Sequence, residues 1–206
     1  MNDNSNSIPI PTIYSLNEQP FGKSWQTWTA KWWQWFFSIP KENHPAYDDT
    51  GERWHIDQHD PNVLFLAGTT GGKAQRTITI PAGKAVLFPV INFATSYSED
   101  SSLKTDAELI THAKSNIADI VKKEASIDGV DLLISEKHRV QSHPFDFSFP
   151  TKNIYGVQDG STRGAGDGYW IFLKPLCPGK HNIRTSGSCL SGRIKIDVNM
   201  ELIVKG

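Results

Sequence analysis

Residues 55–60 hold the densest group of potential metal ligands in this chain. His55 and His59 are four residues apart, so an α-helix would place both imidazoles on one face, as a metal site requires. Asp49 lies close enough in sequence to supply a third ligand, a carboxylate. Pro61 ends this segment directly after Asp60. The alternative interpretation is therefore a solvated polar loop without a metal. A divalent metal on these three side chains is the first chemistry that the sequence suggests.

A second possibility is acid–base chemistry by a carboxylate and a histidine. Glu99 follows the apolar run of residues 85–91, and polar groups at the end of a buried strand often face a pocket. Across a cleft from His55 or His181, Glu99 would act as a general base. This arrangement predicts a hydrolase or lyase, with or without a metal. The alternative is that Glu99 is solvated in a loop and His181 on an edge strand.

Several side chains are of the kinds that bind small organic molecules or glycans. Asp167, Tyr169 and Trp170 begin an apolar strand after a flexible glycine-rich stretch, and such aromatic rings stack on sugars or aromatic ligands. Trp170 is equally typical of a core position. The pocket is expected where three loops converge, at 44–60, 92–100 and 155–170. The predicted ligand-binding residues are Gln58, Asn92, Tyr97, Arg163, Asp167 and Tyr169.

Composition and charge exclude several classes of protein. The chain has 206 residues, a formal net charge of −1 and 38% hydrophobic residues, which is typical of a globular protein. Without a basic stripe, nucleic acid is not expected as a partner. The sequence has no run of about eighteen apolar residues, so no transmembrane helix is expected. Residues 1–7 lack the pattern of a signal peptide. We expect a cytoplasmic protein, or a secreted one if the chain is a trimmed mature form.

The two cysteines, Cys177 and Cys189, match no zinc or redox spacing. A hairpin between them would bring them together, but free thiols are expected in a reducing compartment.

Five of the seven tryptophans lie within residues 25–35. On a predicted helix, four of them share one face with Phe36, and Trp33 widens that face. Ser24 suits an N-cap and Pro40 a stop, so this helix is expected over about 24–38. Five indoles present on the order of 1,000 Å² of contact surface, more than the exposed patch that a monomer usually has. The protein's own sheet, a partner or a ligand must therefore cover this face.

Beyond this helix the pattern is mainly β. Thr105 and Glu108 form a capping box at the start of a second helix, expected over about 105–124. Asp128-Gly129 predicts a hairpin, and short apolar or alternating segments recur between glycine- and proline-rich turns. This pattern predicts one β-sandwich or jelly-roll-like domain over residues 21–206, with the tryptophan-rich helix at its N-terminus and the second helix on its flank.

Residues 1–20 are expected to form an extended N-terminal arm. Three isoleucines interrupt this polar stretch: Ile8, Ile10 and Ile13. The prolines between them favour an extended backbone and exclude a central strand. We expect residues 8–14 to lie against a sheet or the tryptophan-rich helix, of this chain or of a neighbour. Pairing with a neighbour would make the protein an assembly subunit and a homo-oligomer.

A set of motifs is spread over most of the chain. The motifs include Trp-x-x-x-Trp-Trp-x-Trp at 28–35, Ser38-Ile39-Pro40, Ile80-Pro81-Ala82-Gly83-Lys84, Asp167-Gly168-Tyr169-Trp170 and Pro178-Gly179-Lys180-His181. Together they resemble a family of uncharacterised bacterial and archaeal proteins without an assigned activity, so the resemblance implies no reaction or ligand. Members of that family often have cysteines at the positions of Trp54 and Ile78. The resemblance therefore implies that this chain has lost a disulfide, as suits a reducing compartment.

Overall fold

The structure, a computed structural model, describes residues 11–189 and 194–206. Within these residues it is mainly β, as the sequence predicts, with two five-stranded sheets and two α-helices. The strands are β1 (Val63–Phe65), β2 (Gly72–Pro81), β3 (Ala85–Ser96), β4 (Lys122–Ile127), β5 (Val130–Leu132), β6 (Arg139–Gln141), β7 (Phe145–Phe149), β8 (Gly160–Leu173), β9 (Gly179–Cys189) and β10 (Ile194–Lys205). The helices are α1 (Trp25–Ser38) and α2 (Asp106–Ala118).

Each sheet mixes parallel and antiparallel pairs. The first sheet has the order β1-β3-β8-β6, with β7 also paired to β8, and β1 runs parallel to β3. The second has the order β2-β10-β9-β4-β5, and β10 runs parallel to β2. Side chains from both sheets form a largely aliphatic core between them, which includes Phe88, Ile171 and Leu202. The two sheets therefore pack face to face, as in a sandwich.

An irregularity in β3 decides which way its last residues point. The register against β8 shifts between Pro89 and Ile91, because Pro89 has no N–H group for the ladder. Val90 and Ile91 both join the core between the sheets, so the alternation of side chains is reversed beyond this shift. Asn92, like Ala94, consequently faces the other side of the first sheet, where α1 lies.

Helix α1 packs on that outer face of the first sheet. Ser24 caps it as predicted, because its hydroxyl accepts from the backbone N–H of Thr27 at 3.2 Å. The five tryptophans of α1 are each at most 6% exposed. They pack in a second, aromatic core with side chains of β7 and β8, which include Phe145, Phe147, Phe149, Trp170 and Phe172. The protein's own sheet therefore covers the tryptophan-rich face.

Helix α2 begins as predicted but ends earlier. The capping box of Thr105 and Glu108 is present, and the helix ends at Ala118 rather than near residue 124. Residues 122–127 form β4 instead, because their backbone pairs with β9 on one side and β5 on the other. Val121, which the sequence pattern assigned to the buried stripe of the helix, is 70% exposed. Strand pairing therefore overrides the helical pattern at this end.

The glycine-rich residues 160–168 belong to strand β8, where the sequence predicted a flexible connection. Every second residue from 164 to 168 is a glycine on the face towards α1. A Cβ at Gly166 would clash with the indole of Trp33, and one at Gly168 would lie 2.5 Å from Cβ of Asn92. Glycine is thus required by close packing and not by flexibility.

The described part of the N-terminal arm lies extended beside the end of β8. The backbone N–H of Tyr14 donates to the carbonyl of Phe172 at 2.8 Å, and that of Lys174 donates to the carbonyl of Thr12 at 2.8 Å. Ile13 forms a bridge with the intervening residue of β8. Residues 8–10 of the predicted arm lie outside the described residues.

Both cysteines, Cys177 and Cys189, are free thiols, as expected. In the part of the chain that the structure describes, neither helix is long and apolar enough to cross a membrane.

Candidate functional site

One tryptophan of α1 differs from the other four in its hydrogen bonding. The indole N–H groups of the four donate to backbone carbonyls at 2.8–3.1 Å: Trp25 to Ser15, Trp28 to Pro20, Trp32 to Leu66 and Trp35 to Ile56. Trp33 is 3% exposed, and its Nε1 has no acceptor among the described residues. A buried N–H group without an acceptor costs about 1–3 kcal/mol, so this atom requires an explanation.

Trp33 borders a partly enclosed cavity of about 180 Å³ between α1, the end of β3 and the second sheet. The lining is mostly apolar and includes Phe36, Ile91, Ala94, Cys189, Ile194 and Ile196. An apolar cavity of about 150 Å³ accepts benzene. This cavity therefore has room for a benzene-sized body with up to about three further heavy atoms.

Asn92 provides a second unpaired donor in the same cavity. Its Nδ2 is buried and has no acceptor among the residues that the structure describes. The bulge at Pro89 turns this side chain towards α1, and the lack of a side chain at Gly168 leaves space for it. Nε1 of Trp170 and Nδ1 of His112 are also unpaired, but neither residue lines the cavity. Thr69, Thr70 and Tyr155 also line the cavity, which thus combines mostly apolar walls with a few hydroxyl groups and two lining residues whose N–H donors are buried and unpaired among the described residues.

Glu99 interacts electrostatically with Tyr155, which lines the cavity. Glu99 accepts a hydrogen bond from the hydroxyl of Ser96 at 2.7 Å, and burial raises its pKa from the ordinary 4.5 to about 7. Burial and then the charge of Glu99 raise the pKa of Tyr155, which lines the cavity. Tyr155 as a whole residue is 42% exposed, so it lies at the rim of the cavity. Near neutral pH, Glu99 therefore changes charge close to the cavity.

The predicted metal ligands do not lie on one helical face. His55 ends a 3-10 turn (Glu52–His55), and His59 lies in the loop beyond it. Both histidines and Asp49 are exposed, and Nε2 of His59 lies 3.9 Å from a carboxylate oxygen of Asp57. Across residues 11–189 and 194–206, no three His, Cys, Asp or Glu side chains are grouped as metal ligands.

Contacts with the rest of the protein explain why this segment is a loop. Gln58, predicted to bind a ligand, donates to the carbonyl of Phe65 at 2.7 Å and accepts from the Phe65 N–H group at 3.1 Å. The amide of Gln58 thus pairs with the edge strand β1. Together with the bond from Trp35 to the Ile56 carbonyl, this pairing holds residues 56–58 in a non-helical conformation.

Four other predicted ligand-binding residues are paired within the protein. Their partners are Arg139 for Asp167 (2.7 Å), Glu136 for Tyr169, Asp106 (2.8 Å) and Asp146 (2.7 Å) for Arg163, and Asp106 for Tyr97 (3.4 Å). These bonds connect β8 to its neighbouring strands and to the start of α2. Of the six predicted residues, only Asn92 lines the cavity.

His181 is buried in the second sheet with both ring nitrogens occupied. Nδ1 lies 2.8 Å from the carboxylate of Asp128, and Nε2 lies 2.9 Å from the carbonyl of Cys177. The ring therefore connects the β4–β5 turn to the segment before β9. No hydrogen bond or ion pair in the described structure joins Glu99 to His181 or His55. The described contacts do not assemble the histidine–carboxylate pair that a hydrolase or lyase was expected to use.

Sequence reasoning missed Trp33 and Tyr155 as residues of the cavity. Trp33 resembles the other tryptophans of α1 in sequence, and its unpaired N–H depends on tertiary contacts. The available signal was the alternation of glycines at 164, 166 and 168, since glycines on one face of a strand indicate that another group approaches closely.

Comparisons with known proteins add little. No protein-family model matches the chain, and no curated protein matches it. A structure of PbICP-C in complex with falcipain-2 aligns with 70% of this chain and 99% of that chain, at 10% identity and a TM-score of 0.28. The solution structure of amebosin aligns with 71% of this chain and 100% of that chain, at 11% identity and a TM-score of 0.27. Such low similarity carries no argument, and the family resemblance remains a prediction from motifs.

Proposed function

We propose that the protein binds a small molecule that has an apolar body and a hydrogen-bond-accepting group. The ligand occupies the cavity beneath α1, and a small shift of two lining side chains brings its acceptor to Nε1 of Trp33 and Nδ2 of Asn92, both of which are buried in the ligand-free structure. The observation that carries this proposal is that Trp33 lines the cavity and that its indole N–H is buried with no acceptor among the described residues.

The energetics favour a ligand with an acceptor over a purely apolar one. Each unpaired N–H group costs about 1–3 kcal/mol, and a ligand oxygen that accepts from both donors would recover this free energy. An apolar ligand of the same shape would leave both donors unpaired. A glycan fits less well, because it has many hydroxyl groups and the described walls are mostly apolar. A carbonyl compound of about nine heavy atoms suits both the volume and the donors.

The test compares two probes of similar shape. Acetophenone has a carbonyl acceptor, and ethylbenzene lacks it. Isothermal titration should give acetophenone an affinity at least about tenfold higher, because only its oxygen pairs with the donors. In Trp33→Phe, which keeps an aromatic ring but loses the N–H group, this advantage should decrease.

A control variant separates this effect from a general change in the aromatic core. Trp170 also has a buried, unpaired N–H group but does not line the cavity. Trp170→Phe should therefore leave the preference for acetophenone unchanged. Equal affinities of the parent protein for the two probes, or no binding of either, would rule the proposal out. Occupation of the donors by ordered water alone would give that result.

A further inference from the structure

We propose that the cavity selects an uncharged carbonyl group, as in a ketone, aldehyde, ester or amide, and rejects a carboxylate of the same size. The proposed donors are neutral, and the described walls offer no cation. In addition, the carboxyl group of Glu99 interacts with Tyr155, which lines the cavity, and its negative charge would repel a carboxylate. This inference rests on the proposed function and names the chemical class of its ligand.

The described lining contains no lysine, arginine or histidine. The N–H groups of Trp33 and Asn92 provide hydrogen bonds without a positive charge. A carboxylate that entered this cavity would lose its hydration and gain no counter-ion, which is strongly unfavourable in an apolar environment. A neutral carbonyl oxygen has a much smaller desolvation penalty and needs only the two donors.

The titratable groups described around the cavity are of the kinds that become negative when they ionise. Tyr155 lines it and interacts electrostatically with Glu99 and with Tyr47, which lies in the 3-10 turn Pro45–Tyr47. Cys189 also lines the cavity, and burial raises the pKa of its thiol. Helix α1 contributes only Trp33 and Phe36 to the lining. Of these described groups, Glu99 is the one that ionises near neutral pH, and its charge is negative, like that of an anionic ligand.

The protonation state of Glu99 makes this rejection depend on pH. Burial raises its pKa to about 7, so the carboxyl group is mostly neutral at pH 5.5 and ionised at pH 8.5. Glu99 interacts with Tyr155, which lines the cavity, and we expect its repulsion of a bound carboxylate to change the affinity about tenfold. A carboxylate should therefore bind more weakly at the higher pH, whereas a neutral ketone should be little affected.

The experiment measures the binding of acetophenone and benzoate at pH 5.5 and pH 8.5. Benzoate is ionised at both values, because its pKa is close to that of other carboxylic acids. At pH 8.5 we expect benzoate to bind at least about tenfold more weakly than acetophenone. At pH 5.5 its affinity should rise about tenfold, while that of acetophenone changes by less than about twofold.

Two variants identify the responsible group. Glu99→Gln should abolish the pH dependence of benzoate binding, because glutamine stays neutral. Glu42→Gln removes an exposed carboxylate and should retain the pH dependence. Benzoate binding as tight as acetophenone binding at pH 8.5, or a pH dependence that persists in Glu99→Gln, would overturn the inference and leave the proposed function intact. Failure of acetophenone to bind would overturn both.

Discussion

Replacement of Glu99 by glutamine should remove a pH-dependent loss of stability. Burial raises the pKa of Glu99 from 4.5 to about 7, so the folded protein binds this proton more tightly than the unfolded chain. The resulting contribution to stability is fully present below pH 4.5 and is lost as the pH rises to about 7. At about 1.4 kcal/mol for each pH unit, the loss amounts to about 3 kcal/mol.

Urea unfolding between pH 4.5 and pH 8 measures this effect in the parent and in Glu99→Gln. The difference in the free energy of unfolding should shift in favour of the variant by up to about 3 kcal/mol between pH 4.5 and 7, and then stay constant. The exposed-site variant Glu42→Gln should show a difference that does not change with pH. A difference for Glu99→Gln that is equally flat would refute the reasoning, because it would mean that the Glu99 carboxyl group is solvated.

Four other substitutions test the remainder of the structure by the same unfolding assay. Burial lowers the pKa of His44 from 6.5 to about 4, so its contribution to the free energy of unfolding is present above pH 6.5 and is lost as the pH falls to 4. His44→Gln should flatten this part of the plot of stability against pH. An unchanged slope would contradict the burial of the ring. Trp28 is fully buried, and Trp28→Ala should cost about 3–5 kcal/mol, whereas a loss below about 1 kcal/mol would contradict its place in the core. Asp167→Ala leaves Arg139 without its buried partner and should cost about 3–5 kcal/mol. Asp197→Ala breaks the more exposed pair with Arg184 and should cost less than about 1 kcal/mol. Similar losses of stability in the two variants would disprove the difference in burial.

Local signals in the sequence were enough to predict several elements. Ser24 and Pro40 bracket α1, and its dense aromatic face required a cover, which the first sheet provides. Asp128-Gly129 forms the predicted hairpin turn, with positive φ at both residues, because an aspartate and a glycine tolerate that conformation better than most residues. These features depend on a few neighbouring residues, so the sequence alone contains the necessary information.

Features that depend on distant partners were not predictable in this way. The end of α2 is decided by the pairing of residues 122–127 with β9, which outweighs the apolar periodicity of the segment. Glycine-rich residues 160–168 looked flexible but form a strand, because their backbone pairs with β3 and β7. Residue 166 is a glycine because the indole of Trp33 needs the space that a Cβ would fill.

The candidate site shows the same division. Asn92 and Glu99 were chosen because they follow a buried strand, although β3 in fact continues to Ser96. Their proximity to Trp33 and Tyr155 depends on the bulge at Pro89 and on the packing of α1, which no local pattern reveals.

The most direct test of the proposed binding site is the NMR signal of the Trp33 indole N–H group. In isotope-labelled protein this signal is the one that disappears in Trp33→Phe. Acetophenone should shift it downfield as the N–H group gains an acceptor, while the indole signal of Trp170 stays in place and ethylbenzene produces no comparable shift. A Trp33 signal that remains unshifted up to the solubility limit of acetophenone would contradict the account.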